Sequence, residues 1–203
     1  MSYDQLPSQE VLEKTVKNLA VNGITAFIVE TKEQTKAKVL ELLPKGAEVM
    51  NMPSVTLDQT GIAKEIQESD NYNSVKNKLA SMDRQTQGLE MQKLGAAPEY
   101  TIGSVHAVTQ DGKVLIASNT GSQLPAYAYG SSKVIWVVGA QKVVKDFDDG
   151  LKRIYDYVLP LESVRVKKAY GMEKSNVSKL LVINKEINPN RLIVILVKEV
   201  LGF

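Results

Sequence analysis

The run KVIWVV, Lys133–Val138, is apolar at every position after its first. A strand with one wet face alternates apolar and polar residues, and this run does not. Such a strand is buried on both faces, which is the habit of a parallel sheet covered by helices on each side. The chain on the N-terminal side reads the same way. Ser8 caps a helix through about Ala20, with Val11, Leu12, Val16 and Leu19 apolar and Gly23 as the stop. ITAFIVE, Ile24–Glu30, is a short buried strand. Thr31 and Gln34 form a capping-box pattern ahead of a helix reaching about Leu43 and stopping at Pro44-Lys45-Gly46. AEVMNM, Ala47–Met52, is the next strand. Thr56 and Gln59 repeat the capping-box spacing ahead of a third helix through about Gln67. Short links between alternating helices and strands predict a parallel sheet.

Two segments depart from that alternation. Residues 68–98 are polar and weakly periodic, and read as a helical connection in two pieces, Val75–Gln85 and Leu89–Leu94, with Gly95 as a stop. TIGSVHAVT (101–109) and KVLIAS (113–118) flank Gln110-Asp111-Gly112, and Asp-Gly between apolar strands is a hairpin signal. C-terminal to KVIWVV, Asp146 opens an amphipathic helix carrying Phe147, Leu151, Ile154 and Val158, which the sequence ends at Pro160. KLLVIN (179–184) and RLIVILV (191–197) are late strands on either side of Pro189. The expected fold is α/β: a mostly parallel sheet flanked by helices with an antiparallel hairpin, in one domain over residues 1–203.

Composition narrows the chemistry. There are 203 residues, 43% apolar and 24% charged, with a net charge of +2 and no cysteine. Zero cysteines exclude a disulfide scaffold, a cysteine-ligated metal site and a thiol nucleophile in this chain. One histidine makes a transition-metal site a poor fit. No concentrated basic stripe marks a nucleic-acid surface. MSYDQLPSQE at the start lacks the basic-then-apolar signal pattern, and no apolar run approaches the roughly 20 residues of a membrane span. These features predict a cytoplasmic location with neither a nucleic-acid partner nor a membrane span.

Candidate site residues gather at strand ends. Ser118-Asn119-Thr120-Gly121-Ser122 follows an apolar strand, and ligands of open α/β sheets sit beyond the carboxyl ends of strands. Gly121 would let backbone N–H groups approach an anion, with Asn119, Thr120 and Ser122 adding polar groups. The competing reading is a tight turn that uses Asn and Gly. On one continuous strand, Ser104 and His106 would share a face about 6–7 Å apart, too far for a nucleophile–base pair. Gly103, Ser104 and His106 are candidate ligand contacts, against a structural histidine hydrogen-bonded within the sheet. Gly139 ends KVIWVV, and Lys142 and Lys145 beyond it either face an anion or form a solvated basic loop. Ser54 and Thr56 are ligand candidates that would otherwise cap a helix. No catalytic residue and no metal ligand is assigned.

Four separated blocks carry a family likeness: GSVHAVTQDGKVLIASNTGSQLPAYAYG (103–130), VIWVVGAQKVVKDFDDGLKRI (134–154), VLPLESVRVKKAYG (158–171) and NPNRLIVILVKEVLGF (188–203). Together they resemble the LUD-domain proteins, the lactate-utilisation group, most of all its single-domain C type. The resemblance implies a fold like the sugar-phosphate isomerase and CoA-transferase superfamily. It also implies a role with iron–sulfur partner proteins in oxidising L-lactate to pyruvate. No cofactor is intrinsic on this reading; the iron–sulfur clusters reside on the partners, and this chain binds a small anionic metabolite. CoA transferases of the superfamily use a glutamate near a glycine-containing strand-end loop, and Ser118–Ser122 holds no carboxylate. That argues against covalent CoA transfer. Two alternatives remain open: a stand-alone isomerase- or cyclo-ligase-like enzyme acting on a phosphorylated or carboxylated metabolite, and an interaction module without a ligand.

Overall fold

The computed structural model describes residues 3–203; Met1 and Ser2, part of the N-terminal stretch read for a signal sequence, lie outside them. In chain order the N-terminal part runs α1 (Gln9–Val21), β1 (Thr25–Val29), α2 (Lys32–Leu42), β2 (Glu48–Asn51), α3 (Val55–Gln59), α4 (Ile62–Glu68), β3 (Asn73–Ser74), α5 (Val75–Ala80) and α6 (Arg84–Ala96). There follow β4 (Tyr100–Gly103), β5 (Ala107–Thr109), β6 (Val114–Ser118), β7 (Lys133–Gly139), β8 (Val143–Val144), α7 (Phe147–Lys152), α8 (Leu159–Tyr170), β9 (Lys179–Ile183) and β10 (Leu192–Val197). Six strands form a parallel sheet in the order β1-β10-β7-β4-β2-β3. β7 and β10 are neighbouring interior strands, and nearly every residue of both is buried, as their uninterrupted apolar runs require. β1 reads as buried but is only half-buried along its length, because it is an edge strand with β10 as its single neighbour.

The hairpin is real, but it does not belong to the parallel sheet. β5 and β6 pair antiparallel in a second, four-stranded sheet of order β8-β5-β6-β9. The stretch expected as one strand, TIGSVHAVT, is therefore two. β4 ends at Gly103, the chain crosses between sheets at Ser104-Val105-His106, and β5 begins at Ala107. At the break Tyr127 Oη lies so close to Gly103 that a Cβ there would collide with it, so only glycine fits.

Two apolar clusters sandwich the parallel sheet. On one face Val39, Leu57, Ile62 and Ile66 from α2–α4 pack on Val49, Ile102, Ile135, Val137, Ile193 and Ile195. On the other, Leu12 and Leu19 of α1 join Val108, Val114 and Ile116 of the second sheet over Val134, Trp136, Val194 and Leu196. A third, smaller cluster joins the outer face of the second sheet, Ala107, Leu115 and Val144, to Ile154. Each fully buried Leu, Ile or Val contributes about 1.5–3 kcal/mol over its exposed state, so these faces hold the fold together.

Capping residues fix most helix starts. Ser8, Thr31, Ser54, Ser74, Asp83 and Asp146 each accept a hydrogen bond from a backbone N–H of the first turn. Thr56 is not a cap. Ser54 already fills that position, two residues earlier, and Thr56 lies inside α3 with its side chain buried. Between 68 and 98 the two helices are α5 and α6, preceded by the short strand β3, so the connection is not wholly helical. Pro160 does not end its helix either. Residues Arg153–Val158 widen into a π-helical turn in which the Leu159 N–H bonds to Ile154 O, and α8 continues through Pro160 to Gly171. Proline sits in the first turn of α8, where the loss of an N–H is tolerated.

Candidate functional site

The carboxyl ends of β2, β4 and β7 and the chain beyond β10 converge, and Lys142 lies at their centre. It ends a single 3-10 turn, Ala140–Lys142, that follows β7, and only 3% of its surface is exposed. The expectation of a basic loop holds for Lys145, which is exposed, but not for Lys142. Lys142 Nζ donates to Thr56 Oγ1 at 3.1 Å and to Ser104 Oγ at 3.1 Å. Thr56 Oγ1 in turn donates to Leu201 O at 3.3 Å. No carboxylate among the described residues forms an ion pair with Lys142. Burial, reinforced by the positive charge of Arg153, pulls the Lys142 pKa down to about 7.

The tail beyond β10 forms one wall. Gln141, 2% exposed, brackets Leu201 with its amide: Nε2 donates to Leu201 O at 2.9 Å, and Leu201 N donates to Oε1 at 3.3 Å. Gly202 N donates to Gln59 Oε1 at 2.7 Å. Gly202 has φ +62°, and a Cβ on it would collide with Thr56 Oγ1 and stand 3.3 Å from Lys142 Nζ. A Cβ at Gly139 would stand 2.7 Å from Leu201 N. The glycine at the end of β7 thus admits the tail backbone.

His106 is the last residue of the crossing between β4 and β5, and Arg153 packs against it. Arg153 is fully buried; its Nη1 donates to His106 O, while Nε and Nη2 have no partner. Its guanidinium carbon lies 5.4 Å from the Tyr157 ring centre and 5.9 Å from that of Tyr3. Burial lowers its pKa to about 10. His106 Nδ1 accepts from Ala117 N at 3.1 Å, so the neutral ring carries its proton on Nε2. Burial first, then the charges of Lys142 and Arg153, lower its pKa to about 3. Because the strand breaks between them, Ser104 and His106 do not follow simple strand alternation, and Ser104 turns to Lys142. Both remain partly exposed, so the cluster reaches solvent at the crossing.

The Ser118–Ser122 loop follows the end of β6, next to the start of β5. Part of its hydrogen bonding closes on the loop itself, and Ser118 Oγ donates to Gln123 Oε1 at 2.9 Å. Gly121 N donates to Ser118 Oγ at 2.8 Å, Ser122 N to Thr120 Oγ1 at 3.3 Å, and Thr120 Oγ1 to Ser122 Oγ at 3.1 Å. Asn119 Oδ1 accepts from Ser178 Oγ at 3.1 Å. Gly121 has φ +85° and lies against the Lys179 side chain. The structure therefore brings together Thr56, Ser104 and Lys142, with Gly103, Gly139 and His106 around them, while Ser54 serves as a helix cap. Sequence reading missed Arg153 and Gln141. Arg153 falls on the polar side of the predicted helix, and the π-helical turn that begins with it leaves no periodic trace. Two open grooves elsewhere, between α2 and α3–α4 and beside Tyr3, Asp149 and Tyr157, do not include Lys142. No group of three or more metal-ligating side chains occurs among the described residues, and no helix there is long and apolar enough to cross a membrane.

Comparison with known proteins places this architecture. A DUF162 family protein from Deinococcus radiodurans is similar over 95% of this chain and 99% of its own, with a TM-score of 0.58 at 12% identity, and so shares the fold. The beta subunit of eIF2B from Chaetomium thermophilum aligns over 60% of this chain and 42% of its own, at 17% identity and a TM-score of 0.38. No curated protein sequence matches. The LUD domain profile matches residues 12–197, which span both sheets and the Lys142 cluster, and the chain belongs to the LUD-domain family.

Proposed function

We propose that this chain is a single-domain, C-type component of L-lactate utilisation that works with iron–sulfur partner proteins and binds a small anionic ligand at Lys142. Family membership supports the pathway. The anion rests on one observation: a buried lysine that donates to two hydroxyls and has no carboxylate partner. Burying a cation without a counter-charge is expensive, and a ligand carboxylate or phosphate would relieve that cost. Ser104, whose hydroxyl accepts from Lys142, would turn its proton to the same anion, and the Nε2–H of His106 offers a further donor.

Isothermal titration with L-lactate, pyruvate and inorganic phosphate tests this reading. Lys142→Met keeps most of the unbranched side chain and removes the charge. The folded variant is expected to bind at least about tenfold more weakly, since one charge-assisted hydrogen bond of about 1.5–3 kcal/mol is lost. Equal affinity of parent and variant would overturn it. Should all three anions leave the parent unbound, the ligand-free interaction module takes its place.

A further inference from the structure

β2 ends at Asn51, whose side chain is fully buried with neither its amide nitrogen nor its amide oxygen partnered. Buried amides are nearly always paired, so one with two open positions calls for an explanation. Asn51 is in register with Ile102, and Ile102 with Ile135. Val49, two residues earlier on the same strand and hence on the same face, packs in one cluster with Ile102, Ile135 and Leu57 of α3. Asn51 therefore stands on the sheet face that α3 covers. α3 also carries Thr56, one partner of Lys142 Nζ, and Ser104, the other, lies two residues past Ile102. The same α3 is tied to the tail through Thr56–Leu201 and Gln59–Gly202, so one cover lies over both features.

We propose that Asn51 is the selectivity residue of this site: its amide pairs with a neutral hydroxyl on the anion whose charged group Lys142 holds. An amide offers one acceptor and two donors, and a hydroxyl both donates and accepts, so the two are complementary. The ligand class is a small hydroxylated anion, either a carboxylate or a phosphate. This inference rests on the anion-binding reading of Lys142.

Titration calorimetry with two probe pairs, L-lactate against propionate and glycerol 3-phosphate against propyl phosphate, separates the possibilities. The parent should prefer the hydroxylated member of one pair by at least about tenfold, because a site built to hydrogen-bond a hydroxyl rejects the analogue that lacks it. The responding pair identifies carboxylate or phosphate. Asn51→Leu should erase the preference while leaving affinity for the unhydroxylated probe unchanged, whereas Lys142→Met should weaken both. Leu replaces an unpaired amide with an apolar group of similar size, so the urea midpoint of the unliganded variant should hold or rise. If Asn51→Leu does not fold, Asn51→Val is read by the same criteria. A fall in midpoint with the preference retained would make the amide structural and overturn the proposal. Lys142-dependent binding without any preference in the parent would overturn the selectivity role alone. Absence of Lys142-dependent binding would overturn the anion site and this inference with it.

Discussion

Lys142 is the residue on which most of the chemistry turns, and its titration gives the sharpest test. The unfolded chain protonates this amine below its ordinary value of 10.5, but the folded chain does so only below about 7. Between those values the unfolded state holds more protons, so stability rises with pH from about 7 towards 10.5, and the gain is lost as pH falls through 7. Urea denaturation at pH 6 to 9 should show that slope in the parent, and Lys142→Met should remove this component. Anion affinity should run the opposite way, weakening above about pH 7 as the ammonium loses its proton. His106 contributes at the acid end. Its folded value of about 3 lies below the ordinary 6.5, so its share of stability is complete above 6.5 and drains away between 6.5 and 3. His106→Asn should shallow that acid limb. A limb of unchanged slope would mean that other groups, not His106, drive the loss.

At the scale of elements, the tail and the π-helical turn decide what the sequence could tell. Gln141 holds the Leu201 backbone against Lys142 from both sides of one amide. Gln141→Leu leaves the buried Leu201 N–H unpaired, which should cost about 1–3 kcal/mol. It should also loosen the tail, so that acetylation of Lys142, followed by mass spectrometry, becomes faster than in the parent. Unchanged protection of Lys142 in the folded variant would show that the tail is not its cover. Interior strands were legible where burial on both faces writes an unbroken apolar run, as in β7 and β10. Caps were legible where one side chain serves its own first turn, as at Ser8, Thr31 and Asp146. The division of TIGSVHAVT between two sheets was not, because Tyr127, which sets it at Gly103, lies 24 residues away in the sequence. Continuation through Pro160 was hidden for a similar reason: a π-helical turn absorbs the proline without changing the residues around it. At the site, Thr56, Ser104 and Lys142 were all visible as polar residues at strand ends, but their meeting depends on strand order, which no local pattern records.

At the scale of the whole molecule, the chain passes repeatedly between two sheets, and the candidate site lies where it passes from β4 to β5 and from β7 to β8. Helices α2–α4 cover one face of the parallel sheet, while α1 and the second sheet cover the other. The chemistry available at the site is that of hydroxyls, an amine, a guanidinium and an imidazole. None of these carries electrons between a two-electron donor such as lactate and an acceptor. The chain contains no cysteine to ligate an iron–sulfur cluster. On the function proposed above, this chain would supply binding and orientation and leave the redox step to its iron–sulfur partners. The purified protein is expected to be colourless, to hold no stoichiometric iron, and to give no lactate-dependent reduction of a redox dye by itself. Adding the iron–sulfur partners should produce that reduction, and Lys142→Met should depress it at subsaturating lactate while leaving the partners' cluster spectra unchanged. A cluster spectrum from this chain alone would overturn the division of labour. Full activity of the reconstituted system with Lys142→Met would remove the anion site from the reaction and leave the chain a purely architectural subunit.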